Sequence, residues 1–352
     1  MIDHIGRGGA QDLLASLLEN HGADKNTILL LPLYDKPDNE KIKIPAGIVL
    51  LNPIISGPYN YSPQLLVGVI KFFKLVRKIR PDIVNSHLYV SWIFLAIHSL
   101  MDHNKMKYKV TIHSPRKITP YVVAFCNKIS LIARKLEFIS LFYVASDELI
   151  KDGVGLERVS TIPITLPYKD QILIKSISQT QLPNSFSIVS MSRLHKQRRI
   201  EDLILGISKL DKLFLNQVHL FIYGSGPNRN KLINLVSKFK LDKQITFIPW
   251  ATKKEVFKHR YDLAYSISSM SEIGLAGKQF LCAGIPLLVL DLGSSVQKNE
   301  KIKIPSGIHE ANSVSEIKTI IEDLIVNTRF EIENFNENWD SFQDKYWKSV
   351  LN

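Results

Sequence analysis

Short apolar runs alternate with segments of helical period along most of this chain, and that alternation constrains the fold more than any other feature. Residues 27–33 (TILLLPL) and 48–52 read as buried strands, as do 81–87 and 109–113 (KVTIH), with a short one at 143–145 ending at Ser146. Helical segments are expected between them at 11–20, 65–80, 91–100 and 118–136. Strands that alternate with helices need crossover connections, which gives an α/β chain with a parallel, doubly wound sheet. In such a sheet ligands bind outside the carboxyl ends of the strands.

Periodicity lapses from 170 to 185, a polar stretch ending in Leu182-Pro183-Asn184-Ser185 that reads as a linker. Alternation then resumes with strands at 186–190, 219–223 and 245–248 and helices at 200–209 and 228–238. At 352 residues the chain exceeds one ordinary core, so two doubly wound domains are expected, with a cleft between them. Their bounds are 1–169 and 186–334, followed by a C-terminal helix from 335 that places Trp339, Phe342, Tyr346 and Val350 on one packing face. Residues 1–4 leave little room for a first strand, so either that strand is very short or the start lies upstream.

An apolar content of 45% suits a packed globular protein. No run approaches the roughly 18–20 apolar residues that span a bilayer, and Asp3, Arg7 and Asp12 interrupt the only stretch that could resemble a leader. Cys126 and Cys282 have no metal spacing and read as core thiols of a cytoplasmic protein. The net charge is +12, and between Gln64 and Leu136 thirteen Lys and Arg face two acids. Within that region Lys71, Lys74 and Lys78 share one helical stripe and Leu66, Val69, Phe73 and Val76 another. This is either an ordinary solvated basic face or one that meets an anionic membrane surface. No nucleic-acid-binding signature accompanies it. A phosphate-binding loop of Gly-x4-Gly-Lys-Ser/Thr type, a Gly-x-Ser-x-Gly elbow, an Asp-x-Asp and metal-ligand spacing are all missing from the sequence.

The stretch from Phe247 to Pro286 carries most of the chemistry. A small-residue strand leads into a Ser-rich loop with Glu272 and Gly274, and a helix follows from about Ala276 to Gly284. Backbone N–H groups and the positive dipole end of such a helix suit an anion, best of all a phosphate-bearing nucleotide. Other motifs accompany it: Gly6-Arg7-Gly8-Gly9-Ala10-Gln11 at the start of a helix, Ser192-Arg193-Leu194-His195-Lys196-Gln197-Arg198 after a strand, and Tyr223-Gly224-Ser225-Gly226-Pro227.

In this order and over nearly the whole chain, these pieces resemble glycosyltransferase family 4, retaining nucleotide-sugar enzymes of the GT-B fold. The resemblance implies two Rossmann-like domains with a donor cleft between them, the C-terminal helix crossing back to the first. It places Gly8 and Gly9 in the family's glycine-rich loop. Arg193 and Arg198 fall on its two donor diphosphate-binding positions, with Gly274 and Leu275 in the donor-contacting loop. Gly224 belongs to the turn near the base, Gln279 stands where the ribose hydroxyls are held, and His113 corresponds to the histidine that faces the donor sugar. His87, one strand earlier, is the weaker candidate.

The departure lies in the family's pair of glutamates separated by seven residues. Ser271 occupies the first position and Gln279 the second, with Glu272 one place beyond the first and able to substitute after a small loop shift. The resemblance implies catalytic roles for His113, Ser271 and Glu272, no metal and no cofactor, and a nucleotide-sugar donor, UDP- or GDP-linked. The expected function is retaining transfer of that sugar to a growing, lipid-linked glycan in polysaccharide, O-antigen or capsule biosynthesis. The expected place is the cytoplasm, peripheral at the inner face of the plasma membrane. Two alternatives stay open: a non-catalytic sugar-nucleotide-binding scaffold of the same fold and a nucleotide-sugar epimerase.

Overall fold

The computed structural model describes all residues except 7, 20–26, 36–40, 56–63, 103–104, 114–119, 183–184, 268–272, 291–306, 328–334 and 336. The chain divides into two compact units, residues Met1–Ile164 with Trp339–Asn352, and Thr165–Asn338.

In the first unit α1 (Gly9–Glu19), β1 (Leu29–Leu30), β2 (Val49–Leu50) and α2 (Gln64–Ile79) precede the regular alternation. There follow β3 (Ile83–His87), α3 (Tyr89–Met101), β4 (Lys107–Ile112), α4 (Pro120–Ile132), β5 (Leu136–Ser140), α5 (Tyr143–Lys151) and β6 (Val159–Thr161). Strands β3-β4-β5-β6 form a parallel sheet in that order. The expected first strand is reduced to bridges: Ile2 pairs with both Pro32 and His87. Its N–H donates to Leu31 O at 3.0 Å, and its own carbonyl accepts from Leu33 N at 2.9 Å. The segment around Ile2 thus joins β1 and β2 on one side to β3 on the other, so the loop after it opens where strand order reverses.

Two expectations fail in this unit. Residues 143–146 begin helix α5; the strand is Leu136–Ser140, and the helix expected over 118–136 ends at Ile132. Arg158 explains the early stop of α4. Its guanidinium donates to the carbonyls of Ser130 (3.1 Å), Ala133 (3.0 Å) and Leu136 (2.9 Å), satisfying groups that another turn of helix would otherwise have used.

In the second unit α6 (Tyr168–Ser176) and β7 (Thr180–Gln181) come first, then β8 (Phe186–Met191), α7 (Ile200–Ser208), α8 (Lys212–Leu215), β9 (Val218–Tyr223), α9 (Arg229–Lys238) and β10 (Ile245–Ile248). The remainder is α10 (Lys253–Phe257), β11 (His259–Arg260), β12 (Leu263–Ile267), α11 (Leu275–Cys282), β13 (Leu287–Leu290), β14 (Ile308–Ala311) and α12 (Val314–Val326). The six-stranded sheet runs β10-β9-β8-β12-β13-β14, all parallel, with its order reversing between β8 and β12. Strand β13 is buried at every residue, as a strand covered on both faces must be.

The stretch 170–185, expected as an irregular linker, instead carries most of α6 and all of β7, which pairs with β11. Only Ile174 gives α6 a deeply buried apolar anchor; its other buried residues, Asp170 and Gln171, are polar. Such a helix is held by specific polar partners rather than an apolar stripe, and so leaves no periodic mark.

The last helix, α13 (Trp339–Leu351), belongs to the first unit. Trp339, Phe342, Tyr346 and Val350 are all buried, as their spacing of three and four predicts. Gln343 Nε2 and Trp347 Nε1 donate to Leu17 O at 3.2 and 3.3 Å. Lys107 Nζ donates to the terminal carbonyls of Leu351 (3.2 Å) and Asn352 (2.7 Å), where a helix end carries partial negative charge. Among the described residues no helix is long and apolar enough to cross a membrane.

Candidate functional site

Each unit collects candidate residues at the carboxyl ends of its parallel strands. In the first, Gly8 and Gly9 form the turn into α1, with Gly8 O accepting from Asp12 N at 2.9 Å. Gly9 is exposed and opens the helix. His113 directly follows β4 and is half-buried, lining a small pocket with Leu88, Tyr89, Trp92, Thr111 and Ile112. His87 closes β3, is buried, and stands with Nδ1 2.8 Å from His113 Nε2.

Burial lowers the pKa of His113 to about 4. The pKa of His87 is lowered well below the usual imidazole value, first by burial, then by His113 and the amino group of Met1. Both rings are therefore neutral near pH 7. Sequence reading ranks His87 low because a strand-end histidine alone carries no sign of a partner; the pairing arises only when β3 and β4 align.

In the second unit β8 leads into Ser192–Arg199. Arg193 is exposed and Arg198 half-buried. Burial, and next the charge of Arg193, lower the pKa of Arg198. The same two arginines, after burial, depress His195. Arg199 is committed elsewhere: it ion-pairs with Asp202 and sits in the left-handed region at φ 51°. Among the described residues no carboxylate pairs with Arg198. Two cations held together at the switch point of a parallel sheet make a receptive place for a diphosphate.

The turn after β9 supports this loop. Leu194 N donates to Ser225 O at 2.8 Å, and Asn228 N to Leu194 O at 3.0 Å. Gly224 has φ 143°, and a Cβ there would lie 1.9 Å from Ser192 O; Gly226, at φ 157°, would meet Leu194 O at 2.4 Å. These glycines let two backbones touch, so Gly224 is tied to the arginine loop by contact.

Gly274 is the N-cap of α11, has no side-chain cap, and would meet nothing within 4 Å if it carried a Cβ. Leu275 begins the helix and is half-buried. Ser271 and Glu272 lie outside the described residues. Gln279 is 5% exposed, and its Nε2 donates to Asp170 Oδ2 at 3.2 Å. Both oxygens of Asp170 accept from Lys253 Nζ at 2.7 Å. Because a carboxylate only accepts, the amide nitrogen of Gln279 is committed to Asp170 and its Oε1 is the end directed elsewhere. Next to it on the helix, Lys278 ion-pairs with Glu337, which also accepts from Leu166 N at 2.6 Å. Asp170, Lys253 and Glu337 escaped sequence reading because they lie far apart in the chain and in no motif.

Comparison with known proteins adds a family match over part of the chain and a fold. Residues 175–339 match the model for glycosyl transferases group 1. A stretch of 108 residues is 28% identical to the GtfA subunit of a UDP-N-acetylglucosamine–peptide N-acetylglucosaminyltransferase of Streptococcus agalactiae, a match spanning 31% of this chain and 21% of that relative. Among solved structures, sucrose-phosphate synthase of Thermosynechococcus elongatus superposes with a TM-score of 0.75 at 14% identity, covering 99% of this chain and 94% of that one. WaaG, a glycosyltransferase involved in lipopolysaccharide biosynthesis, gives 0.67 at 10% identity with both chains fully covered. Anabaena HepE, solved with UDP and glucose, gives 0.66 at 16% identity, covering 93% of this chain and 89% of that one. The chain has the GT-B fold, and its residues 175–339 are the part that matches the group 1 glycosyl transferases.

Proposed function

We propose that the chain is a retaining glycosyltransferase of the family 4 kind, which moves a sugar from a UDP- or GDP-linked donor to a growing, lipid-linked glycan in polysaccharide, O-antigen or capsule biosynthesis. The observation that carries this reading is the Arg193–Arg198 pair, two cations drawn together at a sheet switch point inside the segment that matches the group 1 model. Structural likeness to HepE, solved with UDP and glucose, supports a nucleotide-sugar donor.

In this reading the two guanidinium groups neutralise the donor diphosphate and steady it as negative charge develops on departure. The bond from the anomeric carbon to the phosphate oxygen breaks as the acceptor oxygen bonds to that carbon from the same face. The acceptor's proton passes to the departing phosphate. Gly274 and Leu275, with the uncapped N–H groups of α11, contribute to phosphate binding. Gln279 Oε1 accepts from a ribose hydroxyl, His113 meets the donor sugar, and Gly8 and Gly9 allow close backbone approach. Ser271 and Glu272 complete the sugar site. The arginines supply the charge that a metal provides elsewhere, so the reaction is metal-independent and needs no cofactor.

Helix α2 supports a peripheral place at an anionic membrane on the cytoplasmic side. Leu66, Val67 and Ile70 are 73%, 52% and 53% exposed, and Lys74, Arg77 and Lys78 are exposed further along the same helix. Lys71 is less free, since its Nζ donates to Ile54 O at 3.2 Å. Replacing Lys74, Arg77 and Lys78 together by Glu should abolish sedimentation with anionic vesicles and leave behaviour with neutral vesicles unchanged. Unaltered anionic binding would remove the membrane from the reading.

Release of nucleoside diphosphate from a panel of UDP-, GDP- and dTDP-sugars, with and without membrane lipid extract, tests the transferase. One donor should give release that the extract stimulates and Arg193→Ala abolishes. The buried Gln279–Asp170 contact favours a second reading, a scaffold that binds the nucleotide and does no chemistry. Silence across the panel with measurable UDP binding would establish that one.

A further inference from the structure

We propose that His87 is a positioning residue for His113, and that Tyr346 of the C-terminal helix, acting through His87, leaves Nδ1 of His113 as a free acceptor. Three side chains form a closed ring of hydrogen bonds beside the pair. Asn85 Nδ2 donates to Tyr346 Oη at 2.9 Å, Thr111 Oγ1 donates to Asn85 Oδ1 at 3.1 Å, and Tyr346 Oη lies 3.1 Å from Thr111 Oγ1. A hydroxyl has one proton to give. Thr111 spends its proton on Asn85, so the phenol proton goes to Thr111 and the ring closes. Turning over the Asn85 amide reverses the direction of the ring but still consumes the phenol proton inside it.

What Tyr346 Oη has left is a lone pair, and His87 Nε2 faces that oxygen at 3.5 Å, a long contact that only a proton on Nε2 makes attractive. A neutral imidazole carries a single proton. With it on Nε2, His87 Nδ1 is bare and accepts from His113 Nε2–H across 2.8 Å. His113 then has no proton on Nδ1. The other ionisable groups near the pair are the amino group of Met1, whose pKa burial lowers to about 5 and which donates to Asn85 O at 2.7 Å, and Asp3, whose carboxylate accepts from Val90 N and Ser91 N.

A bare Nδ1 on a half-buried ring accepts from a hydroxyl and rejects a ligand that offers only an acceptor or nothing at that point. Its use rests on the reading that a donor sugar meets His113, and it selects sugars that carry a hydroxyl there over their deoxy analogues. A site built to bond a hydroxyl discriminates far more strongly than an apolar one.

The direct test is side-chain 15N–1H NMR of the histidine-labelled full chain without substrate. His113 should show its proton on Nε2 alone, and Tyr346→Phe should bring in the other tautomer. A proton on Nδ1 of His113 in the unaltered protein overturns the proposal, and so does a His113 spectrum indifferent to both Tyr346→Phe and His87→Phe. The unaltered chain decides the first point even if the variants fold poorly. In turnover, His87→Phe should lower kcat about 10- to 100-fold with the nucleotide KM unchanged, the range seen when partners that orient metal-bound histidines are removed. His87→Gln, whose carboxamide oxygen can accept in place of Nδ1, should recover most of the loss; equal losses in the two variants would count against positioning. Absence of all transfer in the unaltered protein would strike the proposed function, while the NMR result stands or falls on its own.

Discussion

Arg198 is half-buried beside a second guanidinium, and like charges in a partly dry place repel until an anion enters between them. Arg198→Ala should therefore lower nucleotide-sugar turnover by about 100-fold, with Arg198→Lys between the two, because a point charge restores neutralisation but not the forked geometry. Release of nucleoside diphosphate measures this. His113 sets a pH limit. Its pKa falls from an ordinary 6.5 in the unfolded chain to about 4 in the folded one, so below pH 6.5 the unfolded state takes up protons first. Its contribution is complete above pH 6.5 and is lost as the pH falls towards 4. Urea midpoints between pH 7 and 4 should drop more steeply for the unaltered protein than for His113→Gln. Arg193 and Arg198 can be read from the sequence through their spacing. The setting of Gln279 cannot, because its partner Asp170 lies 109 residues away.

The turn at Gly224–Gly226 and the loop from Ser192 form one device, since the glycines allow the two backbones to touch. Gly224→Ala brings a methyl group into Ser192 O and strains a positive φ, so it should cost about 1–3 kcal/mol of stability. It should also weaken nucleotide binding by displacing Arg193; denaturant titration and calorimetry with UDP check the two effects separately. An Ala variant that kept full affinity would free the arginine loop from this turn. Elements with a strong apolar period, such as α13, are legible because burial on one face leaves a mark every three or four residues. Helices α5 and α6 are not. In α6 the buried residues Asp170 and Gln171 are held by individual hydrogen bonds rather than by a stripe. Helix α5 is short, and its buried Val144, Ala145 and Leu149 begin in an apolar run that also fits a strand.

The two units have separate apolar cores. In the first unit one cluster spans residues from Met1 to Val159 and another gathers Ile2, Ile5, Leu14, Leu18 and Leu30. In the second, clusters lie around β8, β9, β12 and β13. Chains built this way need not unfold in a single step. A nucleotide that binds only the second unit should raise the transition of that unit alone, by about 2.7 kcal/mol at a UDP concentration of 100 times its Kd. Calorimetry with and without UDP would show this. A uniform shift of all transitions would mean that the units unfold as one.

Alternating strand and helix patterns determined the α/β class, the presence of two doubly wound units and an aromatic-faced helix at the end. They do so because periodic burial is written residue by residue along the chain. Tertiary structure decided the rest: that Ile2 serves as the central strand by single bridges, that His87 meets His113, and that Asp170 with Lys253 holds Gln279. Each of these joins atoms brought together by folding from separate parts of the sequence, where no local pattern records their meeting.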